Sequence, residues 1–153
     1  MNKGRAALTG AVALFVIGAC WGEFAFAQNA LCDQHQQQHC NGNHCDLQIT
    51  VSSCSAAGIT VSVPDLHLCK KDGPKTINWK LPEGGPFRFR DDGIDFKNLP
   101  NTEDLDPATK QKGPFKYSWE NKLSNGGRQF DYSIKLVSSS GQACDKDPRI
   151  SND

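Results

Sequence analysis

Cysteine and histidine residues are concentrated in one short stretch near the start of the chain. Residues 32–45 contain three cysteines and three histidines. Imidazole nitrogens and thiolate sulfurs are ligands that Cu and Zn accept in proteins. The cysteine spacing matches no zinc finger or ribbon, and in an oxidising compartment cysteines pair with one another. The imidazoles are then the candidate Cu or Zn ligands, namely His35, His39 and His44.

The cysteines also constrain the fold. Residues 28–153 contain six of them, and an even number in an exported chain predicts three disulfides. Cys45 and Cys54 lie at opposite ends of one predicted strand, so they should be too far apart to pair. Across the predicted hairpin Cys45 lies opposite a residue near 67 to 69, which favours a Cys45–Cys69 bridge. The candidate disulfide residues are Cys32, Cys40, Cys45, Cys54, Cys69 and Cys144, the last linking the C-terminal tail to the body of the domain or to an N-terminal arm over residues 28–45.

The first 27 residues are typical of a cleavable export signal. A positively charged start precedes an uncharged apolar run over residues 6–20, and residues 25–27 read Ala-Phe-Ala, a signal peptidase site. The run is shorter than the ~20 residues of a membrane-spanning helix. An alternative cut lies before Cys20, because residues 17–20 are similar to a lipobox and would leave a lipid-anchored protein. Both cuts predict an exported bacterial protein: the first predicts a secreted or periplasmic protein, and the second a protein that is lipid-anchored through Cys20.

Apolar and polar residues alternate with a period of two downstream of residue 45, which is typical of half-buried strands. No window shows a helical stripe, and turn residues separate the runs. We therefore predict an all-β antiparallel sandwich of about seven strands over residues 46–153. Residues 28–45 have few large apolar side chains and are predicted to form an irregular, disulfide-linked arm. The alternating runs span residues 47–51, 59–63, 77–81, 87–89, 94–96, 115–119 and 130–136.

The alternating segments of the C-terminal half resemble cupredoxin-like and immunoglobulin-like sandwich domains. The segments are INWKL at 77–81, FRF at 87–89, GIDF at 93–96, YSWEN at 117–121 and FDYSIKLV at 130–137. A cupredoxin would hold copper through a Cys, two His and usually an axial Met. No methionine follows Met1 and no histidine follows His67, so this ligand set is missing and electron transfer is not expected.

The charge balance and the absence of motifs narrow the function. Loss of residues 1–27 removes two cations and one acid from a neutral chain and leaves a net charge of −1. This charge gives no reason to bind nucleic acid or an anionic membrane, and the mature chain has no transmembrane segment. The chain contains no Gly-x-Ser-x-Gly elbow, no His-Glu-x-x-His and no phosphate loop, so we predict that it is not an enzyme.

Binding is the remaining class of function. Lys80, Arg88 and Arg90 alternate with apolar residues and are candidate contacts for an anion or an acidic partner, although a solvated strand face explains them as well. The loops at residues 82–86 and 98–113 would carry such a surface. We predict a non-catalytic binding or structural module for a protein or cell-envelope component, without a cofactor. The alternative is a periplasmic Cu- or Zn-binding protein that uses the arm histidines.

Overall fold

The computed structural model describes residues 32–97, 104–105, 110–124 and 126–153. The predicted export signal, Cys20 and most of the 98–113 loop lie outside the described residues. Residues 32–39 are helical, and a 3-10 turn covers Lys70–Asp72. The described helical segments lack the length and hydropathy that crossing a bilayer requires. Within the described residues the strands are β1 (Cys40–Asn41), β2 (His44–Val51), β3 (Ile59–Val61), β4 (Asp65–Leu68), β5 (Lys75–Lys80), β6 (Phe87–Phe96), β7 (Gln111–Lys112), β8 (Lys116–Asn121), β9 (Arg128–Ser138), β10 (Ala143–Lys146) and β11 (Arg149–Asn152).

Two sheets are formed by these strands. The first has the order β1-β2-β5-β8-β7, with β3 also pairing with β2, and the second has the order β10-β9-β11-β4, with β6 pairing with β9. The predicted all-β class is confirmed. The expectation of purely antiparallel pairing is wrong for one pair in each sheet, since β2–β5 and β4–β11 are parallel. Parallel neighbours need a crossover connection, and the chain provides it by leaving the first sheet after β3 and returning at β5.

The N-terminal arm is more regular than the sequence predicts. Residues 32–39 form a helix whose buried side chains are Cys32 and Gln36, one turn apart. Residues 40–45 form a hairpin with a two-residue loop, in which Gly42 has a φ of 60°. A left-handed glycine at the first loop position is typical of a type II′ turn. The helix has no apolar stripe, and its buried contacts are made instead by the disulfide of Cys32 and by the amide of Gln36.

Aromatic side chains join the two sheets at the centre of the core. The Trp79 ring on β5 lies 5.4 Å from that of Tyr132 on β9, and Phe96 on β6 lies 4.9 Å from Trp119 on β8, measured between ring centroids. All four side chains are buried. Rings at these separations pack edge to face, which favours one fixed distance and orientation between the sheets.

A pair of buried amides forms a second link between the sheets. Asn121 at the end of β8 donates to the side-chain oxygen of Asn152 on β11 at 2.8 Å, and Asn152 donates back at 3.2 Å. The Asn121 oxygen also accepts the backbone N–H of Leu123 at 3.0 Å, where the chain takes a φ of 52°. Both amides are fully buried, so each depends on the other for its hydrogen bonds.

All six cysteines downstream of residue 27 are paired, which confirms the prediction of three disulfides. The bonds are Cys32–Cys69, Cys40–Cys45 and Cys54–Cys144. The favoured Cys45–Cys69 bridge is wrong. That prediction continued the hairpin beyond Val63, whereas the chain passes into the second sheet near Pro64, and the tight β1–β2 loop places Cys40 opposite Cys45. Cys144 links β10 to the loop after β2, so it is joined to the body and not to the arm.

Candidate functional site

An open groove of about 790 Å³ lies where three separate segments of the chain meet. The segments are the first half of β6, the connection from β7 to β8, and the turn from β9 to β10. The lining side chains that matter for its chemistry are Arg88, Arg90, Asp91, Lys112, Val137 and Ala143.

A bulge in β6 shapes one side of the groove. Phe89 pairs with Leu136 and Ile94 pairs with Ile134, so residues 90–93 all lie opposite the single residue Lys135. The sequence predicts a turn at Asp91-Asp92-Gly93, and the structure accommodates these residues inside one long strand. A Cβ at Gly93 would lie 2.9 Å from the Arg90 carbonyl oxygen, so the bulge leaves no room for a side chain there.

The other surfaces of the groove are held by backbone bonds. Arg88, Val137 and Ala143 are direct cross-strand neighbours on β6, β9 and β10, and they form one row. The N–H of Phe89 donates to the Pro114 carbonyl at 2.9 Å, which attaches the β7–β8 connection to the edge of β6. Because strand pairing and backbone bonds hold these segments, we expect the groove to exist before any ligand arrives.

Most cations on the outer face of the second sheet are already neutralised. Arg90 pairs with Asp92 at 3.2 Å, and Lys135 contacts both Asp92 at 3.1 Å and Asp95 at 2.8 Å. Desolvation raises the pKa of Asp92. The hydrogen bond from Lys135 and its positive charge act in the opposite direction and lower this pKa below its ordinary value. Two further pairs, Lys97–Asp147 and Arg149–Asp131, lie on the same sheet at 2.6 and 3.0 Å.

Arg88 and Lys112 differ from these cations. Both are exposed, both line the groove, and neither has an ion-pair partner among the residues that the structure describes. The sequence selects Arg88 and Arg90, which do share the groove. It also selects Lys80, which lies on the first sheet and pairs with Asp46 there. Lys112 was missed as an individual residue, although it lies in the loop expected to carry a binding surface.

The three arm histidines do not form one cluster. The His35 ring lies 6.3 Å from that of His39 and 5.3 Å from that of His67, measured between centroids. The backbone N–H of His67 donates to Nδ1 of His35 at 3.1 Å. A neutral imidazole that accepts at Nδ1 carries its proton on Nε2, so a metal bound at either nitrogen of His35 would cost this hydrogen bond. His39 and His44 instead line a separate polar cleft with Asp46.

The helix covers the open edge of β4, the last strand of the second sheet. His35 accepts the N–H of His67, and the amide oxygen of Gln36 accepts the N–H of Cys69 at 2.6 Å once the amide is oriented to satisfy its partners. The Cys32–Cys69 disulfide attaches the same helix to the same edge. Side chains therefore occupy backbone donors that would otherwise be open to another strand.

His67 lies between two carboxylates under this helix. Its Nδ1 is 2.6 Å from Oδ2 of Asp153, and its Nε2 is 3.6 Å from Oδ2 of Asp65. The nearby hydroxyl of Ser151 donates to Asp65 at 3.2 Å. The hydroxyl therefore faces a carboxylate instead of the imidazole, which is not the order that activates a serine nucleophile.

Acid should weaken the contact between the helix and β4. Burial and the charges of His67 and His39 lower the pKa of His35 below 6.5, with Asp65 and Asp153 acting in the opposite direction. A lowered folded-state pKa gives stability that is present above pH 6.5 and is lost as the pH falls below it. Protonation at Nδ1 also removes the acceptor for the His67 N–H.

The measurement is the hydrogen-exchange protection factor of the His67 amide between pH 7.5 and pH 5. We expect it to fall with pH in the wild-type protein and to stay nearly constant in His35→Gln, whose amide oxygen accepts a bond without titrating. An equal fall in both proteins would contradict the role given to His35.

A compact set of possible metal ligands occurs at the start of the helix. In the described part of the chain, Cys32, Asp33 and Cys69 have ligand atoms within 4.8 Å of one another. Both sulfurs belong to the Cys32–Cys69 disulfide, so the set provides no thiolate.

Comparison with known proteins leaves the chain without an assigned family. No family model matches it, and no curated protein matches it. The chain is partly similar to solved structures, one of which is a Toxoplasma antigen. The crystal structure of the bradyzoite-specific antigen BSR4 from Toxoplasma gondii aligns with 72% of this chain and 49% of that chain, at 14% sequence identity and a TM-score of 0.31. This chain thus spans about half the length of that antigen. The cupredoxin-like or immunoglobulin-like resemblance stays a prediction.

Proposed function

We propose that this chain is an exported, non-catalytic module that binds a protein of its surroundings through the groove beside the β6 bulge. The observation that carries the proposal is a concave surface assembled from three separate segments and fixed by the Phe89–Pro114 backbone bond. Binding residues are commonly placed on loops that a rigid scaffold positions.

The disulfides support an extracytoplasmic location. Disulfides persist in oxidising compartments and are rare in the cytosol, where thiols are kept reduced. Together with the export signal predicted over residues 1–27, they favour a protein that is secreted or periplasmic. Anchoring through a lipid on Cys20 is the alternative within the same proposal, and the intact mass of the native protein distinguishes the two.

Site-specific photocrosslinking tests the groove. A photoreactive amino acid at Ala143, an exposed residue of the groove, is compared with the same probe at Thr50, an exposed residue on the first sheet. The proposal predicts an adduct of defined mass from Ala143 that excess unlabelled protein competes away. Equal adducts from both positions, or none from Ala143, would reject the groove as the binding surface.

Metal binding is a second candidate, favoured by one observation. His39 and His44 line the same polar cleft of about 510 Å³, together with Asp46. Two imidazoles and a carboxylate are donors that Zn or Cu accepts. Titration of the oxidised protein with Zn²⁺ or Cu²⁺ should then show binding that His39→Ala/His44→Ala removes and His35→Gln retains. Loss in His35→Gln alone, or no binding in the wild type, would reject this candidate.

A further inference from the structure

We propose that the partner enters the groove with an extended acidic segment, and that two of its carboxylates pair with Arg88 and Lys112. This inference rests on the proposed function, because it names the partner chemistry of the same groove. It identifies an extended stretch of a protein with spaced Asp or Glu residues, rather than a free anion or a lipid surface.

The first argument is the contrast between Arg88 and Lys112 and four other cations, which lie on the second sheet. Arg90, Lys97, Lys135 and Arg149 each have a carboxylate within 3.2 Å. Arg88 and Lys112 face the groove without such a partner among the described residues. Because the described residues provide acids for those four cations and none for Arg88 and Lys112, the charges of these two are the ones to which we assign an incoming carboxylate.

The second argument concerns the shape of the groove on the side of Arg88 that faces away from Lys112. Val137 and Ala143 occupy the row that starts at Arg88, and their side chains are small and uncharged. This row crosses β6, β9 and β10, so an extended segment that pairs with Arg88 and Lys112 can continue over the outer face of the sheet. Arg88 offers a planar guanidinium that binds a carboxylate through two parallel hydrogen bonds, whereas Lys112 offers a point charge.

The third argument excludes densely charged partners. Asp91 and Asp92 also line the groove, so three cations are interspersed with two acids. A phosphate array of a membrane or nucleic acid would meet these acids as well, and the whole chain carries no net positive charge to attract it. A segment with spaced carboxylates can pair with Arg88 and Lys112 and avoid the acids.

The test uses a fluorescent peptide of alternating Gly and Glu residues, with a Gly-Gln peptide as the uncharged control. Binding to the mature, oxidised protein is measured by anisotropy at low salt. Arg88→Gln/Lys112→Gln is compared with Lys97→Gln/Arg149→Gln, which removes the same number of charges from ion pairs outside the groove. All four side chains are at the surface, and thermal unfolding confirms that both variants fold.

We expect the groove variant to raise the Kd for the Gly-Glu peptide about tenfold, as two exposed ion pairs warrant, and the control variant to change it less than twofold. An equal loss in both variants would show that net charge alone drives binding and would overturn the inference. Preferential binding of phosphatidylglycerol vesicles would also overturn it.

The two proposals fail separately. If the peptide does not bind while the Ala143 crosslink persists, the groove binds a partner of another chemistry and only the acidic segment is wrong. If the peptide does not bind and Ala143 gives no crosslink, both the acidic segment and the proposed function are wrong.

Discussion

Replacement of Cys54 and Cys144 by Ala should lower the free energy of unfolding by about 4.5 kcal/mol, the largest disulfide effect in this chain. The bond joins residues 90 positions apart, so it removes more conformational freedom from the unfolded chain than the other two disulfides. It also attaches β10 to the loop after β2, which connects the second sheet to the first. Urea unfolding of the oxidised proteins measures the loss.

The matched control is the Cys40→Ala/Cys45→Ala variant. That disulfide spans only five positions, and the same entropy argument predicts a loss of about 2 kcal/mol. A larger loss from the short loop than from the long one would show that local strain or packing, and not loop closure, determines these contributions.

Asn121→Ala should destabilise the protein by about 3 kcal/mol, because it leaves two buried groups without partners. The change removes the bonds to the Asn152 amide and to the Leu123 N–H, at a position with no access to water. The cost of an orphaned buried polar group exceeds the net value of the bond it made. Chemical denaturation compared with the wild type gives the value.

The double variant Asn121→Ala/Asn152→Ala decides whether this explanation is right. It removes both amides, so no side-chain amide is left unpaired. We expect its loss to be smaller than the sum of the losses in Asn121→Ala and Asn152→Ala, although the Leu123 N–H still loses its acceptor. Additive losses in the single and double variants would mean that the two amides do not act as a pair.

Short-range alternation predicts the interior of this fold well. Trp79, Trp119 and Tyr132 fall at apolar positions of their runs, and each is buried between the sheets. The alternation of apolar and polar residues does not predict strands β10 and β11. Ser151 is buried although it is polar, because it lies between β4 and β9 and bonds to Asp65. Burial there comes from neighbours that are distant in sequence.

The groove illustrates the same limit. Arg88 and Arg90 alternate with Phe87 and Phe89, so the sequence places them outward, but it cannot show that an acid on β6 neutralises Arg90. Lys112 joins them only because the β7–β8 connection bonds to β6 through Pro114. Lys80 has the same local pattern as Arg88, and only the pairing of β2 with β5 reveals that Asp46 occupies it.

The central claim is that this chain binds its partner through the groove beside the β6 bulge. Once crosslinking from Ala143 has identified the partner, amide hydrogen exchange of the complex tests that claim most directly. The account predicts slower exchange at residues 87–93 and 112–115, with no change on β2 and β3. Protection confined to β2 and β3, or to the helix over residues 32–39, would contradict it.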